Sequence, residues 1–145
     1  MRKVSSRSRL VAISTCTIVA LTLVGSPAQA SPGVSTIATG LDSPRGLGFA
    51  PDGALYVAEA GRGGGGPCFP GPEGPEVCWG TSGAVTKVWN GSQARVLTGL
   101  PSIARRDGSF GIGPSDVSFQ GTGGMYITVG LGANPAVRAQ GPAKK

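Results

Sequence analysis

The chain has 145 residues, no histidine and a formal net charge of +6. The missing histidine excludes Ser-His-Asp and Cys-His nucleophile systems, which need an imidazole as the base. Its 26 glycines and 12 prolines bring the composition close to that of low-complexity chains. Because these residues separate apolar stretches and do not form one uniform tract, they predict many tight turns.

The first 30 residues have the pattern of an export signal. A basic front precedes an apolar stretch at 10–24, and the Ala28-Gln29-Ala30 segment offers the small residues that a signal peptidase accepts. We therefore predict cleavage after Ala30 and a secreted product, extracellular or periplasmic. The alternative is an uncleaved anchor, although 10–24 is short and rich in Ser and Thr for a permanent membrane span.

Removal of this signal changes the charge. Beyond Ala30, nine Lys and Arg residues stand against seven Asp and Glu residues. A charge this close to balance predicts no nucleic-acid partner. We also predict no stable membrane span after cleavage, and the sequence leaves other partners open.

Strands are predicted after residue 30, because apolar and polar residues alternate and β-branched residues are frequent. Pro51-Asp52-Gly53 has the chemistry of a tight turn, and Asn90-Gly91 is a strong hairpin signal. No helix is predicted in this part of the chain. The predicted strands cover 34–39, 45–50, 54–60, 83–89, 93–98, 115–119 and 125–130.

The stretch at 61–80 has a run of glycines and four prolines but no strand signal, which predicts a structureless insertion loop. Cys68 and Cys78 predict a disulfide across this loop, as expected for two close cysteines in an exported chain. A zinc site would need further ligands that the chain lacks. Phe69 and Trp79 are either exposed binding contacts or caps on the hydrophobic rim, and we favour the caps.

One segment occurs twice. The residues at 44–57 have counterparts 70 positions later, at 114–127. Short strands and glycine turns in repeats are typical of β-propellers and solenoids. We predict an all-β, partial β-propeller over 31–138, with about one complete four-stranded blade and parts of its neighbours, followed by a polar tail at 139–145. Open blade edges predict either self-association or an incomplete copy of a longer protein, and we favour the incomplete copy.

Five runs carry a resemblance to a known family: TGLDSPRGLGFAPDGALYVAEAGRGG, PCFPGPEGPEVCWG, GAVTKVW, GPSDVSF and MYITVGLGANPA. Across nearly all of 36–138 the chain resembles the ScyD/ScyE family, which are exported bacterial β-propeller proteins of the NHL type. The resemblance implies export and a closed propeller of greater length, and no particular activity. Ser115 stands where the family commonly carries a histidine, so this chain departs from the family pattern at that position.

Two carboxylates are candidate ligands for a divalent cation. Glu59 ends an apolar strand, and Asp116 begins the first strand of the second copy. A hard cation prefers several oxygen ligands, and two carboxylates do not define a site. The alternatives are a salt bridge from Glu59 to Arg45 or Arg62, and a turn in which Asp116 binds backbone amides. No catalytic residue and no other cofactor are predicted.

These patterns predict a non-enzymatic exported scaffold or ligand-binding module, more than an enzyme. The first alternative is a fragment of an exported propeller enzyme, either a gluconolactonase-like hydrolase or a quinone-dependent sugar dehydrogenase. The second is a small secreted domain held together by its disulfide. The sequence names no substrate under any of the three.

Overall fold

The computed structural model describes residues 33–141, and nearly all of the regular secondary structure within them consists of strands. The predicted signal, its cleavage after Ala30 and the end of the polar tail lie outside the described residues. The elements are β1 (Pro44–Phe49), β2 (Leu55–Glu59), β3 (Cys68–Pro70), β4 (Glu76–Trp89), β5 (Ser92–Ala104), β6 (Pro114–Gln120), β7 (Gly124–Val129) and a short 3-10 helix (Pro135–Gln140).

The strands form two antiparallel sheets, which confirms the all-β prediction. In the larger sheet β4 is central: it pairs with β2, β3 and β5, and β1 lies outside β2. The smaller sheet consists of β6 and β7. No helix within 33–141 is long and apolar enough to cross a membrane.

The predicted strand at 34–39 is wrong, because this segment has no partner in a strand ladder. It is instead held at Thr39, whose N–H donates to Oε1 of Gln93 (3.0 Å) and whose carbonyl accepts from Nε2 of the same side chain (2.6 Å). Ile37 stays largely exposed. Alternating residues provide one apolar face, but a strand also needs a partner for its backbone groups.

The prediction of a structureless insertion at 61–80 is also wrong. β3 pairs with the first residues of β4, and Cys68 lies opposite Cys78 in this pairing. β4 then pairs with the end of β5, where Trp79 lies opposite Ile103, although the predicted strand at 93–98 ended well before this residue. Buried apolar side chains, among them Val77, Trp79 and Ile103, stabilise these strand ends despite the neighbouring glycines and prolines.

A compact apolar cluster lies beneath this hairpin. Its buried members are Phe69, Val77, Trp79 and Ile103. Phe69 and Trp79 are only 8% and 2% exposed, and their ring centroids are 5.8 Å apart. The interpretation of both rings as packing residues is therefore confirmed, and their interpretation as exposed contacts is wrong. The predicted disulfide joins Cys68 and Cys78 beside this cluster.

The two copies of the repeated segment form two hairpins, which we call the first hairpin (β1–β2) and the second hairpin (β6–β7). Both have the same register, and both have an irregularity directly after their first proline. The matching pairs are Pro44↔Glu59 with Pro114↔Val129, Leu47↔Val57 with Val117↔Ile127, Gly48↔Tyr56 with Ser118↔Tyr126, and Phe49↔Leu55 with Phe119↔Met125.

The two hairpins also touch. β6 lies against β1 and β2, so that one copy of the repeat packs on the other. In the first hairpin, Gly48 lies against Val117 of the second hairpin, and Tyr56 packs on Phe119. A repeated unit stacked on its neighbour is the arrangement expected of a propeller. The propeller fold itself stays a prediction.

Candidate functional site

Glu59 is the centre of a buried charge network. It ends β2 and is fully buried. Arg95 on β5 donates to both of its carboxylate oxygens, from Nη2 at 2.7 Å and from Nε at 3.1 Å. The backbone N–H of Asp42 donates to Oε2 at 2.6 Å, and the Thr86 hydroxyl donates to Oε1. The carboxylate oxygens are thus fully occupied by protein donors.

These partners determine the charge states of the pair. Burial raises the pKa of Glu59, but the hydrogen bonds from Arg95, the Asp42 amide and Thr86 outweigh it, so the pKa lies below its usual value. The hydrogen bond to Glu59 in turn raises the pKa of Arg95. Both side chains are therefore charged at neutral pH, as a salt bridge requires.

Glu59 forms the predicted salt bridge, but its partner is Arg95 and not Arg45 or Arg62. Arg45 donates from Nη2 to the carbonyl of Gly111 at 2.6 Å, and Arg62 lies 3.5 Å from Asp42. Arg95 was missed. The Asn90-Gly91 turn would have indicated it, because a hairpin closed by this turn places Arg95 opposite Thr86. Thr86 itself lies opposite Val57, two residues before Glu59 on β2.

Asp116 has a local role on β6. Its Oδ1 accepts from the N–H of Val117 at 2.9 Å, which is the backbone contact foreseen as the alternative to a metal. Gly46 lies directly against it, with no room for a Cβ. Asp116 is therefore fixed between its own backbone and the first hairpin.

The structure does not gather these carboxylates into a larger ligand set. Within 33–141, only Cys68, Glu76 and Cys78 bring three potential ligand atoms within 4.8 Å of one another. The two cysteines of that set are joined in the disulfide, so their sulfurs are not free thiolates. A cation at Glu59 or Asp116 stays a prediction.

The glycine run after β2 borders a groove of about 540 Å³. The residues that line it include Gly64, Gly65, Trp79, Thr81 and Ser82. Gly64, Gly65 and Thr81 are exposed, and most of the accessible lining of the groove is apolar. No charged side chain is among the described residues that line the groove. This surface is suited to a neutral ligand.

Close backbone contacts explain why the wall of the groove is made of glycine. Gly66 N–H donates to the carbonyl of Trp79 at 2.9 Å, and Trp79 N–H donates to the carbonyl of Pro67 at 3.0 Å. A Cβ on Gly64 would lie 2.7 Å from the Cα of Gly80. The run therefore packs on β4, and it is not followed by the helix that a phosphate-binding loop requires.

The apolar cluster borders the groove. Trp79 belongs to both the cluster and the groove, and its Nε1 is buried without an acceptor among residues 33–141. A buried indole N–H usually has a hydrogen-bond partner. Gly141 packs on the six-membered part of this ring.

Comparisons with known proteins add nothing to this geometry. No protein family, no curated protein and no solved structure gives a significant match to the chain. The resemblance to the ScyD/ScyE family therefore stays a prediction that depends on the sequence runs alone.

Proposed function

We propose that this protein is an exported, propeller-type repeat scaffold that acts by binding a ligand, without catalysis. The observation that carries the proposal is the stacking of two hairpins with the same register. Such units bury their faces on their neighbours and leave loops free for recognition. The resemblance to ScyD/ScyE proteins supports the same proposal.

The state of the carboxylates favours binding over metal-assisted catalysis. A propeller enzyme with a divalent cation would use oxygen ligands such as Glu59 and Asp116. In the structure the oxygens of Glu59 accept hydrogen bonds from Arg95, Thr86 and the Asp42 amide. A cation would have to displace Arg95 from a buried carboxylate. We therefore assign Glu59 to the stability of the scaffold.

We place the ligand in the groove beside the glycine run. Its lining is uncharged and mostly apolar and includes the exposed Thr81, whose hydroxyl can form hydrogen bonds, and this fits a neutral ligand such as a sugar or an uncharged peptide. Gly65 provides the test, because a Cβ there meets no atom within 4 Å. Gly123, in the turn between β6 and β7, has the same freedom and lies outside the groove, so it serves as the control.

The binding experiment compares the full chain with Gly65→Phe and Gly123→Phe. The probes are neutral mono- and disaccharides and short uncharged peptides, followed by saturation-transfer NMR. We expect at least one probe to bind the wild type and Gly123→Phe but not Gly65→Phe. If no probe binds, or if Gly65→Phe binds as well as the wild type, the groove is not the ligand site.

Thermal unfolding with and without millimolar Ca²⁺ separates the scaffold from an enzyme. We expect no change in Tm on adding Ca²⁺. A rise in Tm that disappears in Glu59→Gln or Asp116→Asn would contradict the proposal and favour the propeller-enzyme alternative.

Export is tested by expressing the chain in a bacterial host and sequencing the N-terminus of the product. We expect the periplasm or the medium to contain a chain that begins at Ser31. Ala30→Lys is the control, because a long charged side chain does not fit a pocket for small residues. A cytoplasmic product that keeps Met1 would refute export.

A further inference from the structure

The contact between the two hairpins, here called the template, pairs a tyrosine of one hairpin with a phenylalanine of the other. The Tyr56 ring on β2 meets the Phe119 ring on β6 edge-on, with centroids 4.9 Å apart. Nearby, the carbonyl of Val117 approaches Gly48 so closely that a Cβ on this glycine would lie 2.5 Å from the oxygen. One half of this contact, which carries Tyr56, belongs to the first hairpin, and the other half, which carries Phe119, belongs to the second.

Each hairpin also carries a counterpart of the aromatic residue that the other hairpin contributes to this contact, and that counterpart takes no part in it. Phe49 is the counterpart of Phe119, and Tyr126 is the counterpart of Tyr56, at the same positions in the same register. Phe49 is 67% exposed and Tyr126 is 56% exposed, whereas Tyr56 and Phe119 are partly buried. The molecule thus presents one unused half of the contact on each of its two hairpins.

We propose that a second copy of this chain binds head to tail, with Tyr126 of one copy packed on Phe49 of the next. A second copy is the expected partner, because the chain already packs a tyrosine of one hairpin against a phenylalanine of the other. The inference goes beyond the proposed function, and it needs neither export nor the groove ligand.

The surroundings of Phe49 fit an incoming aromatic side chain. A groove of about 440 Å³ borders Phe49, and Ile37, Leu55, Val88 and Trp89 lie along it. Ile37 and Trp89 are among the exposed large apolar residues of the chain. Exposed apolar surface of this kind is typical of protein interaction sites. The groove therefore provides an apolar seat for the Tyr126 ring.

One position makes the contact between copies looser than the template. Ser118 occupies the place in the second hairpin that Gly48 occupies in the first. The close backbone approach at Gly48 has no room for a Cβ, so Ser118 keeps the two copies farther apart. We therefore expect a weak, concentration-dependent association that Ser118→Gly strengthens.

A head-to-tail contact uses two different surfaces, which permits a complementation experiment. Phe49→Ser removes one surface and Tyr126→Ser removes the other. In each variant alone, every contact between copies lacks one half. In a 1:1 mixture, the intact Tyr126 of one variant meets the intact Phe49 of the other, and the resulting pair has no further surface for extension.

The measurement is analytical ultracentrifugation of the full chain over a range of concentrations. We expect association of the wild type, a roughly tenfold or greater loss in each single variant, and dimers in the mixture. Val96→Ser is the matched control, because Val96 is an exposed apolar residue on β5 outside both surfaces, and it should associate like the wild type.

Three outcomes would overturn the proposal. The first is a wild-type chain that stays monomeric at every concentration, and the second is association that survives both single variants. The third is a mixture that remains monomeric although the wild type associates. Pairing of β7 edges between copies would give the second outcome, because it does not need the Phe49 side chain. Circular dichroism of each variant verifies that the fold is kept.

Discussion

The first and second hairpins share one backbone pattern and have different surroundings. Each has the same pairs and the same irregularity after its proline. The first hairpin continues into the large sheet through β4, and its last residue is the buried Glu59. The second hairpin forms a two-stranded sheet, and Val129 takes the equivalent place. Turns and strand ends therefore set the register, and individual side chains determine what each hairpin packs against.

The largest effect is expected from breaking the charge network that only the first hairpin has. Arg95→Met leaves the buried Glu59 carboxylate without its cation. We expect a loss of roughly 3 kcal/mol in the free energy of unfolding, at the low end for buried pairs because Arg95 is partly exposed. Urea unfolding of the full chain measures it. Val129→Ala at the equivalent position of the second hairpin is the control, and it should change little.

The same variant predicts a dependence on pH. The pKa of Glu59 lies below its usual value, so its stabilisation is present above the unfolded pKa and is lost as pH falls through the folded pKa. Without Arg95, burial raises the pKa of Glu59, and protonation relieves the unpaired charge. The difference in stability between the wild type and Arg95→Met should therefore shrink from pH 7 to pH 4. An equal difference at all pH values would contradict this account.

The second effect concerns the strands that accompany only the first hairpin. Removing the disulfide with Cys68→Ser and Cys78→Ser frees a loop whose cysteines are 10 positions apart. From the entropy of loop closure we expect a loss of roughly 2.8 kcal/mol. Thermal unfolding with and without a reductant measures it. The reductant should lower the Tm of the wild type and leave that of the double variant unchanged.

The third effect compares one glycine with its counterpart. Gly48→Ala pushes a Cβ against the carbonyl of Val117 and forces the hairpins apart, which should cost about 1–3 kcal/mol. Ser118→Ala, at the same position of the second hairpin, should stay within about 0.5 kcal/mol because its side chain is exposed. Similar losses in both variants, measured by urea unfolding at low protein concentration, would contradict the close approach.

The smallest effect is the coupling between aromatic rings. A double-mutant cycle with Tyr56→Leu and Phe119→Leu should give a coupling energy of about 0.5–1.5 kcal/mol, because the rings meet edge-on. The same cycle on Phe49 and Tyr126 should give no coupling in the monomer. Coupling between Phe49 and Tyr126 that appears only at high protein concentration would support the head-to-tail contact.

Local patterns were enough to predict much of the fold. The Pro51-Asp52-Gly53 and Asn90-Gly91 turns separate the strands as expected, and the repeated segment marks both hairpins. The disulfide followed from two close cysteines. Each of these features depends on residues near one another in the chain, which is why the sequence alone could indicate them.

The features that were missed depend on distant residues. β3 and the long ends of β4 and β5 form because Trp79 and Ile103, which lie opposite each other on neighbouring strands, pack together in the buried apolar cluster. Arg95 reaches Glu59 only through the register of two strand pairs. In contrast, 34–39 has strand-like alternation but no ladder partner. Strand propensity shows that a segment can adopt an extended conformation, and pairing with another strand decides whether a strand forms.

The glycine run beside β4 has a consequence for how this protein tolerates variation. Its composition is that of a flexible linker, yet Gly64 and Gly66 have β4 backbone atoms at distances where no methyl group fits. Gly65, between them, faces open space. A single added carbon is therefore expected to be accepted at one residue and rejected at both neighbours. Among variants of this chain we therefore expect substitutions at Gly65 and none at Gly64 or Gly66.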